Sequence, residues 1–126
     1  MDAAMVAKLR REIMGAVGPT AQPTYENLKP IKFLQNILNE TLRLYPVVPY
    51  NVRRSLHNTT LPTGGGQDGT QPIGILTDTP VACSTLVMQR RADLYPPPES
   101  GFPALDKFVP ERWDDWTASK LDLCAF

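Results

Sequence analysis

The sequence predicts an α+β fold in which two helices are followed by a small β-sheet and a long coil. Three observations lead to this prediction. Apolar residues recur at helical spacing in the first 45 residues, and short β-branched runs with glycine-rich turns follow between residues 50 and 88. The 13 prolines of the 126-residue chain are densest near residues 96–103, where they favour extended backbone.

The first helix is predicted over residues 1–17. Asp2 is a suitable N-cap, and Gly18 and Pro19 supply the stop signal. One face of this helix is apolar, and it carries Met5, Val6, Leu9, Ile13 and Val17.

The second helix is predicted over residues 30–45, with Pro30 at its first position and Pro46 ending it. Its apolar side chains cover about half of the circumference, so we expect it to be mostly buried. Glu40 lies at the edge of this apolar arc, where a partly desolvated carboxylate requires a partner.

Residues 50–88 are predicted to form one small sheet, with strands at 50–56, 73–76 and 81–86 around a turn-rich stretch at 63–69. A short helix is expected within 87–93, and residues 94–116 are predicted to be a coil, extended from Pro96 to Pro103. Cys83 lies in an apolar strand run, which favours a small core residue.

Composition excludes several classes of function. The 13 basic and 13 acidic residues balance, which gives no reason to expect nucleic acid as a partner. The single histidine, His57, and the two cysteines, Cys83 and Cys124, do not have the spacing of a metal site, so no metal ligand is predicted among them. No apolar run is long enough to cross a bilayer.

Glu40 and Arg43 are three residues apart and therefore lie on neighbouring surfaces of one helix. Taken alone, this pair is typical of an ordinary surface ion pair worth about 0–1 kcal/mol. The residues around the pair indicate a different role. Residues 39–46 read NETLRLYP, and residues 108–113 read FVPERW.

These two motifs, in this order and at this separation, resemble the E-x-x-R helix and the F-x-P-E-R-W/F segment of cytochromes P450. The intervening MQRRADLY at residues 88–95 is similar to a stretch found in fungal members that hydroxylate alkanes and fatty acids. The resemblance covers about residues 4–116 and implies that the chain is part of the mainly α cytochrome P450 fold.

The resemblance also implies roles for particular residues. Glu40, Arg43 and Arg112 correspond to a buried structural triad that pins the coil to the helix, with no catalytic role of their own. Arg53 matches an arginine that binds a haem propionate, although Arg54 is an alternative and both could instead face solvent. The residues expected along the substrate pocket are Val47, Val48, Pro49, Tyr50 and Asn51.

For the whole protein, the resemblance implies a haem-thiolate monooxygenase that inserts one atom of dioxygen into a C–H bond of a lipophilic small molecule. Its electrons would come from NADPH-cytochrome P450 reductase, at the endoplasmic reticulum membrane.

The family's haem loop, F-x-x-G-x-R-x-C-x-G, is not found in the sequence. Cys124 lies in an atypical tail at residues 117–126 that lacks the glycines and arginine of that loop, so we expect it to be an incidental cysteine and not the iron ligand. The alternative prediction is therefore a truncated product without the thiolate ligand, which is inactive as it stands.

Overall fold

A computed structural model describes residues 2–117 of the chain. The helices are α1 (Ala3–Val17), α2 (Tyr25–Leu28), α3 (Lys32–Leu44) and α4 (Thr85–Met88), and the strands are β1 (Tyr50–Arg54), β2 (Thr59–Gly65), β3 (Gln71–Ile75) and β4 (Pro80–Ser84). Three short 3₁₀ turns follow at Ala92–Leu94, Pro98–Ser100 and Pro110–Trp113. The described residues divide into two compact units, of which the first contains residues 2–47 and 86–117 and the second residues 48–85.

Helix α1 begins as the sequence predicts, because the Asp2 carboxylate accepts a hydrogen bond of 2.9 Å from the Ala4 amide. It ends at Gly18, whose φ of 87° is in the left-handed region that favours glycine. None of its residues is buried, and Val6 and Met14 on the apolar face are 40% and 44% exposed.

Helix α3 is the buried helix of the first unit. It starts at Lys32 rather than at Pro30, because residues 25–28 form a separate turn of helix and Ile31 is the N-cap. The Ile31 amide donates back to the Leu28 carbonyl, which closes α2 before α3 begins. The side chains that α3 buries are Phe33, Asn36, Glu40, Arg43 and Leu44, so the buried face is apolar at its margins and charged at its centre.

The 3₁₀ turn Pro110–Trp113 packs on α3 and closes this face. Within the described residues, the buried apolar side chains are few, namely Ile31, Phe33, Leu44, Trp113 and the prolines Pro46 and Pro110. Buried polar groups are therefore about as prominent as hydrocarbon in the first unit.

The second unit contains two antiparallel two-stranded sheets. The predicted α+β order, with helices followed by a small region of strands, is confirmed, but the strands are divided between two sheets instead of forming one. Strand β1 pairs with β4, with Tyr50 opposite Ser84, while β2 pairs with β3, with Thr59 opposite Ile75. The second strand was missed because its sequence, TTLPTGG, contains proline and glycine, which usually mark a turn.

The β2–β3 hairpin tolerates these glycines because its backbone needs them. Gly64 and Gly66 have φ values of 112° and 75°, and a register shift separates the Leu61 and Gly65 pairings. A side chain at Gly65 would come within 2.8 Å of the Pro72 carbonyl oxygen, so the strands could not approach each other with any larger residue there.

Three smaller predictions also differ from the structure. The short helix is at Thr85–Met88 rather than within 87–93, and the coil contains 3₁₀ turns where extended backbone was expected. Cys83 is exposed rather than a core residue, because it lies in a two-stranded sheet that is exposed along most of its length. In the described part of the chain, no helix has the length and apolarity needed to span a membrane.

Candidate functional site

The centre of the first unit is a cluster of three charged side chains on α3 and the 3₁₀ turn Pro110–Trp113. Glu40 and Arg43 are 0% exposed and Arg112 is 3% exposed, so the cluster is almost completely removed from water. The three-residue spacing brings Glu40 and Arg43 together on α3. The turn that begins at Pro110 brings Arg112 to the same carboxylate, although it is 72 residues away in sequence.

The Glu40 carboxylate accepts five hydrogen bonds. Its Oε1 atom accepts from Arg112 Nε at 3.0 Å, from one terminal nitrogen of Arg43 at 3.0 Å and from the Val109 amide at 2.9 Å. Its Oε2 atom accepts from Arg43 Nε at 2.8 Å and from the Trp113 indole at 3.1 Å. Each oxygen therefore accepts at least two hydrogen bonds, which offsets the desolvation of a buried carboxylate.

The other N–H groups of the two guanidiniums bind backbone carbonyls of the coil at residues 103–107. Arg43 donates to the carbonyls of Leu105 and Lys107 at 2.8 and 3.2 Å, and Arg112 donates to those of Pro103, Ala104 and Lys107 at 3.1, 2.9 and 3.0 Å. The coil has no sheet or helix to satisfy these carbonyls, so the arginines take the place of secondary structure.

A second set of contacts caps the end of α3. With its side-chain nitrogen turned towards the helix, the Gln89 amide donates to the carbonyls of Leu42 and Arg43 at 3.0 and 2.9 Å. A terminal nitrogen of Arg90 donates to the Leu44 carbonyl at 2.9 Å. These are the carbonyls that a helix end leaves without partners, so residues 89–90 act as its C-terminal cap.

Sequence reasoning found the three charged residues but missed the neutral donors. The Trp113 indole, the Val109 amide and Gln89 were not expected at the cluster. Trp113 carried a usable signal, because a buried tryptophan needs a partner for its N–H. A backbone amide such as that of Val109 has no sequence signal.

The pKa of Glu40 reflects two opposing effects. Burial raises it, but hydrogen bonds from Arg43 and Val109 and the positive charges of Arg43 and Arg112 lower it below its usual value overall. Burial raises the pKa of the nearby Tyr95, whose hydroxyl donates to the Gln89 carbonyl at 2.7 Å. At neutral pH, Glu40 is therefore ionised and Tyr95 is neutral.

The structure distinguishes Arg53 from its neighbour Arg54 in the second unit. Arg54 donates to the Asp78 carbonyl at 3.0 Å and forms an ion pair with the Asp78 carboxylate at 3.1 Å. Arg53 projects from the opposite face of β1 and is exposed, and within residues 2–117 no hydrogen bond or ion pair engages its guanidinium.

The five residues expected along a substrate pocket are exposed. Val47, Val48 and Tyr50 are 75%, 46% and 63% exposed, which is unusual for large apolar side chains. Val47 belongs to the first unit, and the other four residues, 48–51, belong to the second. Cys124 lies outside the described residues, and within those residues no group of three or more His, Cys, Asp or Glu side chains could hold a metal ion.

Comparisons with known proteins agree on one family. A family model described as "Cytochrome P450" matches residues 4–126, which includes the segment 117–126 where the sequence motifs gave no resemblance. Cytochrome P450 monooxygenase pvhE of Talaromyces variabilis is 51% identical over 121 residues, covering 96% of this chain and 22% of that protein.

Two further relatives are also fungal. Cytochrome P450 monooxygenase alt2 of Alternaria solani is 46% identical over 112 residues, covering 85% of this chain and 20% of that protein. Cytochrome P450 52E1 of Candida apicola is 41% identical over 111 residues, covering 86% and 20%. The chain thus spans about a fifth of the length of the curated relatives that it matches.

Replacing Glu40 with glutamine is expected to lower the free energy of unfolding by about 3–5 kcal/mol, because it leaves two buried guanidiniums without a counter-charge. The measurement uses a chimera in which residues 4–126 replace the matching segment of pvhE. Urea unfolding of the chimera is compared with and without Glu40→Gln. Glu111→Gln is the matched control, since Glu111 is half exposed and its ion pair with Lys8 is 3.9 Å long. Equal losses from the two substitutions would contradict a special role for Glu40.

The same chimera should show an acid-dependent loss of stability that originates at Glu40. Because the folded-state pKa of Glu40 is lowered, its ionised form contributes stability above the unfolded-state value of about 4.3, and this contribution is lost as the pH falls through the folded-state pKa. The gap between the urea midpoints of the parent chimera and Glu40→Gln should therefore be constant near neutral pH and should narrow as the pH falls below about 4.3. A gap between them that stays constant down to the lowest pH would show that the ionisation of Glu40 is not the cause.

Proposed function

Because the chain belongs to the cytochrome P450 family, we propose that it is a segment of a haem-thiolate monooxygenase that inserts one atom of dioxygen into a C–H bond of a lipophilic substrate such as an alkane or a fatty acid. The observation that carries this proposal is the buried cluster of Glu40, Arg43 and Arg112. These are the residues of the family's two motifs, and their contacts hold the motif-bearing helix and coil together.

The role of the cluster is structural. Every polar atom of the three side chains is occupied by another part of the chain, and buried side-chain nitrogen or oxygen atoms without a partner are not found within residues 2–117. A group that binds substrate or transfers a proton needs a free or exchangeable partner, and the cluster offers none.

Arg53 is the candidate contact to the cofactor. When bound, the haem with its thiolate ligand supplies the oxygen activation of this family. The Arg53 guanidinium is charged, exposed and unengaged within the described residues, so it is suited to hold a propionate carboxylate by charge-assisted hydrogen bonds. Arg54 is a poorer candidate, because it would first have to release Asp78.

The substrate preference rests on the segment 47–51. Val47, Val48, Pro49, Tyr50 and Asn51 present mostly apolar side chains that are exposed in the structure, and such side chains suit a lipophilic ligand. The stretch MQRRADLY at residues 88–95, which resembles fungal members that hydroxylate alkanes and fatty acids, supports this substrate class. NADPH-cytochrome P450 reductase as the electron donor and the endoplasmic reticulum membrane as the location are proposals from the family.

A second proposal concerns residues 1–126 on their own. The haem-loop pattern of the family does not occur in them, and Cys83 and Cys124 lack its flanking glycines and arginine. We propose that these residues by themselves supply no thiolate ligand and are catalytically inactive, as a truncated product would be.

A carbon monoxide difference spectrum tests both proposals. The reduced chimera is expected to show the thiolate-type Soret band, as pvhE itself does in parallel, and the isolated 126-residue chain with added haem is expected to show none. With reductase, NADPH and dioxygen, the chimera should hydroxylate lipophilic substrates from a panel of alkanes and fatty acids. A chimera without the band, beside an active pvhE control, would overturn the first proposal. A thiolate band from the isolated chain would overturn the second.

Replacing Arg53 with glutamine is expected to weaken retention of haem in the chimera about tenfold, because it removes a charge-assisted hydrogen bond to a propionate. The matched control is Arg54→Gln, which removes only exposed contacts with Asp78, an ion pair and a hydrogen bond to its carbonyl, and should have little effect. Haem transfer to excess apomyoglobin measures retention in both variants. Faster loss of haem from Arg54→Gln than from Arg53→Gln would show that Arg54, and not Arg53, contacts the propionate.

A further inference from the structure

A buried hydroxyl lies immediately after β4, on the first residue of α4. Thr85 is 9% exposed, although it belongs to a unit whose strands are largely open to solvent. Its Oγ1 atom donates a hydrogen bond to the carbonyl of Val48. Thr85 and Val48 are 37 residues apart in sequence, so this bond ties two distant parts of the second unit together.

The strand register explains why these residues meet. Tyr50 is opposite Ser84 in the antiparallel pair. The residues just before β1 and the residue just after β4 therefore lie at the same end of the sheet. A second, longer hydrogen bond runs in parallel there, from Ser84 Oγ to the Pro49 carbonyl at 3.4 Å. The hydroxyls of Ser84 and Thr85 therefore bind the carbonyls of Pro49 and Val48, the two residues immediately before β1.

The segment before β1 has few other means of being held. Pro46 and Pro49 lack an N–H group and cannot donate to a neighbouring strand. Side-chain packing holds the buried Pro46 but contributes little further along, because Val48 is 46% exposed and Tyr50 is 63% exposed. Hydrogen bonds to the carbonyls of Val48 and Pro49 are thus the fixed points of this stretch of backbone.

We propose that Thr85 is a positioning residue that affects the substrate without touching it. Its hydroxyl fixes the Val48 backbone, and this determines where the apolar segment 48–51 contacts a bound lipophilic molecule. This inference rests on the proposed function, in which that segment lines the substrate pocket. It assigns to the junction between β4 and α4 a role in choosing which carbon of the substrate is presented for reaction.

The chemistry of a long hydrocarbon makes such a role measurable. Neighbouring methylene groups have nearly equal reactivity and differ only in position, so the wall of the pocket decides which of them is presented. A shift of about 1 Å in a positioning group is enough to change rates by large factors. Freeing the Val48 carbonyl should therefore alter the distribution of products more than the amount of folded enzyme.

The test compares Thr85→Val with Thr85→Ser in the chimera. Valine keeps the shape of threonine and removes the hydroxyl, whereas serine keeps the hydroxyl and removes the methyl group. Thr85→Val is expected to change the ratio of hydroxylated positional isomers from a fatty acid roughly threefold or more, and Thr85→Ser should keep the parent ratio. If Thr85→Val does not retain haem, Thr85→Ala takes its place under the same criteria.

Amide hydrogen exchange gives a readout that is independent of turnover. Loss of the hydroxyl should speed exchange in peptides covering residues 47–51 and leave the β2–β3 hairpin unchanged. An unchanged product ratio with unchanged exchange in residues 47–51 would overturn the inference. Faster exchange throughout the second unit would also overturn it, since it would show a general loss of stability.

The outcomes separate this inference from the proposed function. If the unsubstituted chimera lacks the thiolate band or does not hydroxylate lipophilic substrates while pvhE does have the band, the proposed function fails. If the unsubstituted chimera is active and the valine and serine variants give the same products as each other, only the role of Thr85 fails.

Discussion

One buried carboxylate determines how the first unit is built. Glu40 is 0% exposed, and its five hydrogen-bond donors come from α3 and from the coil at residues 109–113. An isolated carboxylate in this position would be very costly, so helix and coil must meet for either to be stable there. The two guanidiniums then extend the same constraint to the carbonyls of residues 103–107, which fixes a coil that has no regular pattern of its own.

This arrangement replaces hydrocarbon with polar contacts at the centre of the unit. The burial of apolar surface does not by itself favour one orientation of the packed elements. A carboxylate that accepts five hydrogen bonds requires its donors to be in one arrangement. A coil rich in proline cannot form a strand ladder, so side-chain donors are the available means of fixing its path. The cluster therefore tolerates substitution poorly, because the loss of one charged side chain leaves the charges of the others buried and unpaired.

The sequence predicted the parts of this molecule that have a local signal. The 3.6-residue period placed α1 and α3, the Asp2 cap was read correctly, and the two motifs named Glu40, Arg43 and Arg112. The features that the sequence did not predict all depend on contacts between residues that are distant in the chain. Strand β2 contains Pro62 and two glycines, Gly64 and Gly65, and only its pairing with β3 makes it a strand. The Val109 amide and the Gln89 side chain contact the cluster through the path of the coil, which no residue pattern encodes.

The separation between the two halves of the cluster has a consequence for synthesis of the protein. Arg112 reaches the Glu40 carboxylate across 72 residues, so a ribosome adding about 5–20 residues per second finishes the second half several seconds after the first. During that interval α3 is present without the coil, and the Glu40–Arg43 pair must remain in water. The apolar margins of α3 are then uncovered as well, so during this interval they are accessible to chaperones and prone to aggregation.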